Sequence, residues 1–548
     1  MTRFLPALAA AAAVVLAACT SDVDTPETPP RCDPETDAAL SAWADAGFSG
    51  SVAIAAAGEP VCAAGYGVAD QATGRPNTAD TVFAVGSVTK AFTAAAIFDL
   101  ADQGRLSVDD RVGDLLPELR GPVRDATLRQ LMTHTSGLNG SAGADHEPLS
   151  RDDALAAIDA MAPAFPPGTD YLYTNAGYTL LALVVEEVAG SYREHAASRI
   201  LSDLPSAGFW DGDPAASGDR AVGRLDDGGT GEAGDFPGPH WALDGNGGIA
   251  MSVSDLAAWT HALFTGAVVT AESAAAIATP EVDLADGAAE TPGWVAYDAT
   301  AYGVPFLAAA GGGGDVGHDA VVIWIPEGER VLAIASNGPG VSAEELLAAV
   351  GPALAAGDPI PAPDVPGGAV DPDAAAAIVG DYRLDTGGAY RVTADDGLRI
   401  AALGADAVLA LFPPRDPGAV RAHERLVAEL LAGDTDAGRD ELAALEDEFG
   451  PVGDAEPGGT VLAEGELRTY VTLDTGEGPL LAWYALNDEG GVDGVEVGAD
   501  PPSLTLAPSG DDYRPADPAG TPPDVTVSFG ADSVTVTGPD GATTARRD

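Results

Sequence analysis

The sequence predicts an α/β domain built on one antiparallel sheet, followed by a second, β-rich domain. Three observations carry this. Strand-like runs stand near both ends of the first two thirds of the chain, with helical patterns between them, so the two ends build a sheet that the middle covers. The stretch GDPIPAPDVPGGAVDP, residues 357–372, is rich in Pro and Gly and reads as a linker. Beyond it, apolar and polar residues alternate with period two in several stretches. At 548 residues the chain is also too long for one core.

Composition bounds the partners. Apolar residues make up 46% of the chain, enough to bury substantial cores. Acids outnumber bases 85 to 26, for a formal charge of −59. Such a field repels nucleic-acid phosphates and anionic membrane surfaces, so neither is an expected partner. An acidic, lysine-poor chain fits salt adaptation or a GC-rich genome, and both readings stand.

The elements follow in order. Met1-Thr2-Arg3 is a short basic start, and residues 4–18 are uncharged and mostly apolar. That run is of signal-peptide length, too short to span a bilayer comfortably. It closes on Leu16-Ala17-Ala18-Cys19, which resembles a bacterial lipoprotein signal with Cys19 as the lipidated residue. An ordinary secretory signal with an incidental cysteine is the other reading. Either way the chain is expected to be exported, and a lipid on Cys19 would be its one attachment to the outer face of the cell membrane. Residues 20–31 read as a polar tether. Two cysteines remain, Cys32 and Cys62, which in an exported protein pair as a disulfide or stay buried as free thiols. Residues 34–46 read as a helix, 49–55 and 61–68 as strands, and 91–102 and 178–189 as helices. Residues 320–325 and 330–336 read as a hairpin across Pro326-Glu327-Gly328-Glu329. The first domain then covers 32–356.

In the second domain, 373–548, residues 380–402, 467–484 and 525–536 alternate like strands, and 421–448 reads as one or two charged amphipathic helices. Asp434 to Arg439 begins like a calcium loop, but Arg439 and Leu445 stand where that loop needs Gly and Glu. No metal and no cofactor are expected.

The chemistry concentrates at Gly86-Ser87-Val88-Thr89-Lys90. Lys90 is the one lysine in the chain, among 26 basic residues. Written as a helix, 87–103 puts Ser87 and Lys90 on one face, with Ser87 at the end where free N–H groups favour an oxyanion. Val88, Ala91, Phe92, Ala95 and Phe98 form its apolar stripe, and Gly104 closes it. A lysine buried there has a lowered pKa and can take the serine proton, which arginine cannot do. Tyr173-Thr174-Asn175 is the single Tyr-x-Asn. Its tyrosine can shuttle protons if a neighbouring lysine cation lowers its pKa.

The segments TVFAVGSVTKAFTAAAIFDLADQGRLSVDD, TLRQLMTHTSGL and PPGTDYLYTNAGYTLLALVVEEVAG together resemble the serine β-lactamase-like superfamily. The branch they are similar to holds class C β-lactamases, D-alanyl-D-alanine carboxypeptidases, D-aminopeptidases and family VIII esterases. The resemblance implies a β-lactamase/transpeptidase-like fold, an antiparallel sheet flanked by helices beside a helical subdomain. It implies Ser87 as the acylated nucleophile, Lys90 as its base, Tyr173 as a second acid/base and Asn175 as a contact for substrate and lysine. The family's third motif, a basic residue, a small residue and then Gly, falls on Gly311-Gly312-Gly313 by counting back from Pro326. Gly311 and Gly313 are then expected to face the substrate, and the N–H groups of Ser87 and Gly314 to form the oxyanion hole. The basic side chain is missing, which argues against a β-lactam as the preferred substrate. His134 and His318 read as structural.

The expected function is an exported serine hydrolase acting through an acyl-enzyme on a small-molecule or peptide-like ester or amide, as an esterase or a D-amino-acid peptidase or amidase, with β-lactamase activity at most weak. The rival is a non-catalytic surface lipoprotein that binds peptidoglycan or peptides in a degenerate cleft.

Overall fold

The computed structural model describes residues 31–547 except 226–227, 285–286, 364–369, 371, 395–396, 415–416, 434, 464–465, 476–477, 487–490, 511, 517–522 and 540. The signal segment with Cys19, nearly all of the tether, and Asp434 lie outside the described residues. Among the described residues, no helix is long and apolar enough to cross a membrane.

Helix α1 (Pro34–Asp45) starts where its sequence says it should. The Asp33 carboxylate caps it, accepting from the N–H groups of Glu35 and Thr36 at 2.9 and 3.2 Å, and Pro34 at the first position has no N–H to satisfy. Strands β1 (Gly50–Ala56) and β2 (Glu59–Tyr66) follow as a hairpin. A disulfide between Cys32 and Cys62 ties the start of α1 to β2.

The rest of this sheet comes from far along the chain: β3 (Val282–Asp283), β4 (Ala288–Thr291), β5 (Trp294–Tyr297), β6 (Phe306–Gly313), β7 (His318–Ile325) and β8 (Arg330–Ser336). The order is β2-β1-β8-β7-β6-β5-β4-β3, antiparallel throughout. The two ends of the domain meet at β1–β8, paired from Gly50↔Ser336 to Ala56↔Arg330. Both faces of β7 and β8 are buried, so they read as apolar runs rather than alternating ones.

One face packs on α1 and on helix α5 (Ala343–Ala356) through Leu40, Trp43, Leu346 and Val350. The other packs on helices α2 (Thr89–Asp102), α3 (Asn175–Ala189) and α4 (Val253–Phe264). Helix α2 differs from the expected striped helix. Every residue from Thr89 to Leu100 is buried, because α2 runs through the centre of the helical layer. Its Ala91, Ala94, Ala95 and Ala96 let neighbours approach on all sides.

The expected linker is shorter than 357–372. Ile360 is buried with Trp43, whose indole N–H donates to the Pro361 carbonyl at 2.8 Å. Pro372 already opens a helix that runs to Ile378. Ile360 and the Pro361 carbonyl thus dock on the first domain, while the rings of Pro359 and Pro361 stay exposed.

The second domain is β-rich as expected, and its topology is a closed eight-stranded barrel. Its strands are Gly380–Arg383, Ala389–Thr393, Arg399–Leu403, Ser503–Ser509, Asp512–Pro515, Thr526–Phe529, Ser533–Gly538 and Gly541–Arg547. Tyr382, Tyr390, Ile400, Val527 and Val534 fill its core. Closure leaves no sheet edge. Between the third and fourth barrel strands lie Ala405–Leu411, a helix packed on the barrel core, and then Pro417–Leu431 and Asp436–Phe449, packed on a separate four-stranded sheet. The alternation is visible in the sequence, but its division between a barrel and a sheet is set by long-range pairing.

Candidate active site

Val85 to Val88 passes from a short strand into a 3-10 turn, Gly86–Val88, and then into α2. Gly86 takes φ +50°, and a Cβ there would stand 2.8 Å from Gly312 N. Only glycine combines that backbone with that contact. The turn presents Ser87, partly exposed, at the head of α2, with Lys90 one turn below it and 4% exposed.

Lys90 Nζ lies 2.8 Å from Ser87 Oγ, 2.8 Å from Asn175 Oδ1 and 3.2 Å from the Asn246 carbonyl. Asn175 is the first residue of α3, and Asn246 is fixed by its amide donating to Thr179 Oγ1 and to the Ala242 carbonyl. Burial lowers the Lys90 pKa to about 7, against smaller upward pulls from Asp145 and Glu290. A bias of that size against the ammonium is roughly 5 kcal/mol. A neutral Lys90 donates its two hydrogens to the Asn175 and Asn246 carbonyl oxygens and turns its lone pair to the Ser87 hydroxyl.

The Tyr173 hydroxyl donates to Ser87 Oγ at 2.8 Å, and its ring lies 4.8 Å from Lys90 Nζ. Here the structure corrects the expectation of a lowered tyrosine pKa. Burial pushes the Tyr173 hydroxyl upward, with Glu290 adding to the rise and the Ser87 contact opposing it. The group brought near neutrality is the lysine, and Tyr173 stays protonated.

The third motif is corrected in register. A Cβ on Gly311 would stand 2.1 Å from Ser87 N and 2.6 Å from Ser87 Cα. Gly311 is therefore the glycine against the nucleophile, not the vacant place of a basic residue. Alternate residues of a strand share a face, and Leu307 and Ala309 pack on the helical side while Phe306 and Ala308 pack on the other. The family's basic position is thus Ala309, and the N–H next to the contact is that of Gly312. Gly313 pairs with His318, one step further out. Gly314 opens a 3-10 turn beyond the strand, three residues and roughly 10 Å past the contact, too far for an oxyanion donor. Counting from Pro326 misses this because hairpin length is set by three-dimensional pairing.

His318 is buried, accepts the Ala84 N–H at 3.1 Å on Nδ1, and is driven by burial to a pKa of about 3, as a structural histidine should be. His134 is also buried, but it belongs to the site. Its Nδ1 accepts the Thr174 N–H at 3.2 Å, and its ring lies 4.4 Å from that of Tyr173. Burial and the Lys90 charge hold its pKa near about 3.

Glu290 is the residue that sequence reasoning missed. It is 5% exposed and accepts the Tyr171 hydroxyl at 3.2 Å. Burial pushes its carboxyl up to about 8. One acid among 85 carries no sequence signal. Asn246 was missed for the same reason, since its backbone carbonyl is the group that matters.

A serine, a buried amine and a tyrosine on this fold define a serine hydrolase. A family model described as Beta-lactamase matches residues 41–356, and the chain belongs to that family. Among relatives, the D-aminopeptidase of Cereibacter sphaeroides is 31% identical over 230 residues, 39% of this chain and 42% of that protein. Esterase EstB of Burkholderia gladioli is 33% identical over 189 residues, 30% of this chain and 48% of that one. The chain thus spans less than half the length of these relatives, and of others that it matches. The octameric penicillin-binding protein homologue from Pyrococcus abyssi superposes with TM-score 0.55 at 19% identity, covering 93% of this chain and 99% of that one, a likeness of fold.

Proposed function

We propose that the protein is an exported, lipid-anchored hydrolase that cleaves an ester or amide through an acyl-enzyme on Ser87. The observation that carries this reading is the 2.8 Å approach of both Lys90 Nζ and Tyr173 OH to Ser87 Oγ. Neutral Lys90 takes the Ser87 proton as Oγ attacks the carbonyl carbon, and the carbonyl oxygen becomes an oxyanion held by the N–H groups of Ser87 and Gly312. As the C–O or C–N bond breaks, the leaving group receives that proton from Lys90 by way of the Tyr173 hydroxyl. Water then attacks the acyl carbonyl and gives its proton to Lys90, and the acid leaves as Ser87 recovers its hydrogen.

Among substrates we favour simple esters and D-amino-acid amides or peptides over β-lactams. The family holds a substrate carboxylate with a basic residue at the position that is Ala309 here. The kinship with a D-aminopeptidase and an esterase supports the same choice.

A fluorophosphonate probe followed by peptide mapping tests the reaction, and a panel of p-nitrophenyl esters, D-amino-acid anilides and a chromogenic cephalosporin tests the preference. The expected result is a label on Ser87 with esters and D-amino-acid anilides turned over faster than the cephalosporin. A label elsewhere, or none with any acylating probe, sinks the proposal and favours a binding role.

A further inference from the structure

The segment Tyr171-Leu172-Tyr173-Thr174-Asn175 carries two side chains that hydrogen-bond to Ser87 or Lys90, yet 171–174 has no regular secondary structure of its own. It is held from one side at three points. The Leu172 N–H donates to the His134 carbonyl at 2.9 Å. The Thr174 N–H donates to His134 Nδ1 at 3.2 Å. The Tyr171 hydroxyl donates to Glu290 Oε2 at 3.2 Å, and Glu290 Oε1 lies 3.9 Å from His134 Nε2. Because Nδ1 is an acceptor, neutral His134 carries its hydrogen on Nε2, the nitrogen that faces Glu290. One carboxyl on β4 therefore faces both anchors of the segment.

We propose that Glu290 is a positioning residue for the hydrolysis: it holds Tyr171 and stands against His134 Nε2, thereby aims Tyr173 and Asn175 at Ser87 and Lys90, and, where it is ionised, sets a negative charge against the Lys90 ammonium. The inference rests on the acyl-enzyme reading only for its effect on rate. Its geometric and electrostatic parts do not need it.

The groups that face this pair are few. Lys90 meets Ser87, Tyr173, Tyr178, Asn175 and the Asn246 carbonyl, and feels Asp145 and Glu290. Glu290 meets Tyr171 and His134, and feels Lys90. Ionised Glu290 favours the Lys90 ammonium, so removing that charge lowers the pH at which Lys90 becomes a free amine. The pair exchanges protons as a unit, and the midpoint read at either residue belongs to both.

The chain offers an unusually clean readout. Because Lys90 is its one lysine, protein grown on lysine labelled with 13C at Cε gives a single lysine Cε resonance. Glu290→Gln, which keeps the Tyr171 acceptor but cannot ionise, is expected to move the Cε titration midpoint down by about one pH unit. The acid limb of kcat/KM for a p-nitrophenyl ester should move with it. Glu290→Ala, which also removes the Tyr171 acceptor, should lower kcat about tenfold or more while KM changes little. A midpoint unmoved in folded Glu290→Gln overturns the electrostatic part, and full kcat in Glu290→Ala overturns the positioning part. If either variant fails to fold, Glu290→Asp retains the charge on a shorter arm. It should keep the titration midpoint near that of wild type but lose kcat, and the opposite pattern overturns the proposal. If the wild-type protein hydrolyses nothing, the functional reading fails, while the Cε titration still decides the role of Glu290.

Discussion

Lys90 Nζ lies 2.8 Å from Ser87 Oγ, which the 3-10 turn Gly86–Val88 holds at the head of α2, and the site leaves only 4% of Lys90 exposed. An ammonium is costly there and a free amine is not, so the contact is that of a base with its acid. Lys90→Arg is expected to lower kcat/KM for a p-nitrophenyl ester by about 10²–10⁴-fold, because a guanidinium does not release its proton. Circular dichroism should show the fold retained. Unchanged turnover would mean that Ser87 is activated by another group.

The pH dependence follows from the sign of the Lys90 shift. Its pKa falls from the ordinary 10.5 to about 7 on folding, so below about 7 the folded protein carries an ammonium in a buried site. Activity should rise with pH through about 7 as the amine is freed. The unfolded chain binds the extra proton between about 7 and 10.5, so this group's contribution to stability grows with pH across that window. Melting temperatures measured over that range for wild type and Lys90→Met should differ in slope, wild type rising more. Parallel curves would show that burial does not shift the lysine.

Tyr173→Phe removes the one hydroxyl that donates to Ser87 Oγ and leaves the ring against His134 and Lys90. The expected outcome is a loss of about 10²-fold in kcat with stability changed by less than about 1 kcal/mol. Steady-state kinetics beside a denaturant titration checks both halves.

The register of β6 is tested by two glycines. Gly311→Ala places a methyl 2.1 Å from Ser87 N and should abolish acylation by a fluorophosphonate probe. Gly314→Ala has open space around its Cβ and pays only for its φ of +59°, about 1 kcal/mol. It should remain active. Loss of activity in Gly314→Ala with retention in Gly311→Ala would restore the register that counting from Pro326 suggests.

The disulfide between Cys32 and Cys62 spans a sequence separation of 30 residues. Cys62→Ser should lower unfolding free energy by roughly 3 kcal/mol and leave the ester-cleaving site intact, measured by urea titration and turnover at low temperature.

By itself the sequence determined the class of fold and brought together Ser87 and Lys90, the proposed nucleophile and base. Ser87 and Lys90 are three residues apart across a 3-10 turn that runs straight into α2, and local geometry carries them together wherever that helix sits. The single lysine in a chain that otherwise uses arginine marked the pair, because no other side chain here could be a buried amine. The hairpin at 320–336 and the pairing of cysteines were legible for the same local or elementary reasons. Tertiary structure decided what depends on contacts between distant segments. It set which glycine of Gly311–Gly314 meets Ser87, since a strand's register is fixed by its partners β5 and β7 and by the approach of Gly86. It decided that Lys90, and not Tyr173, is the group brought near neutrality, since desolvation depends on every neighbour of α2. It also brought Glu290 from β4 to Tyr171 and His134, a meeting across more than a hundred residues that no local pattern encodes.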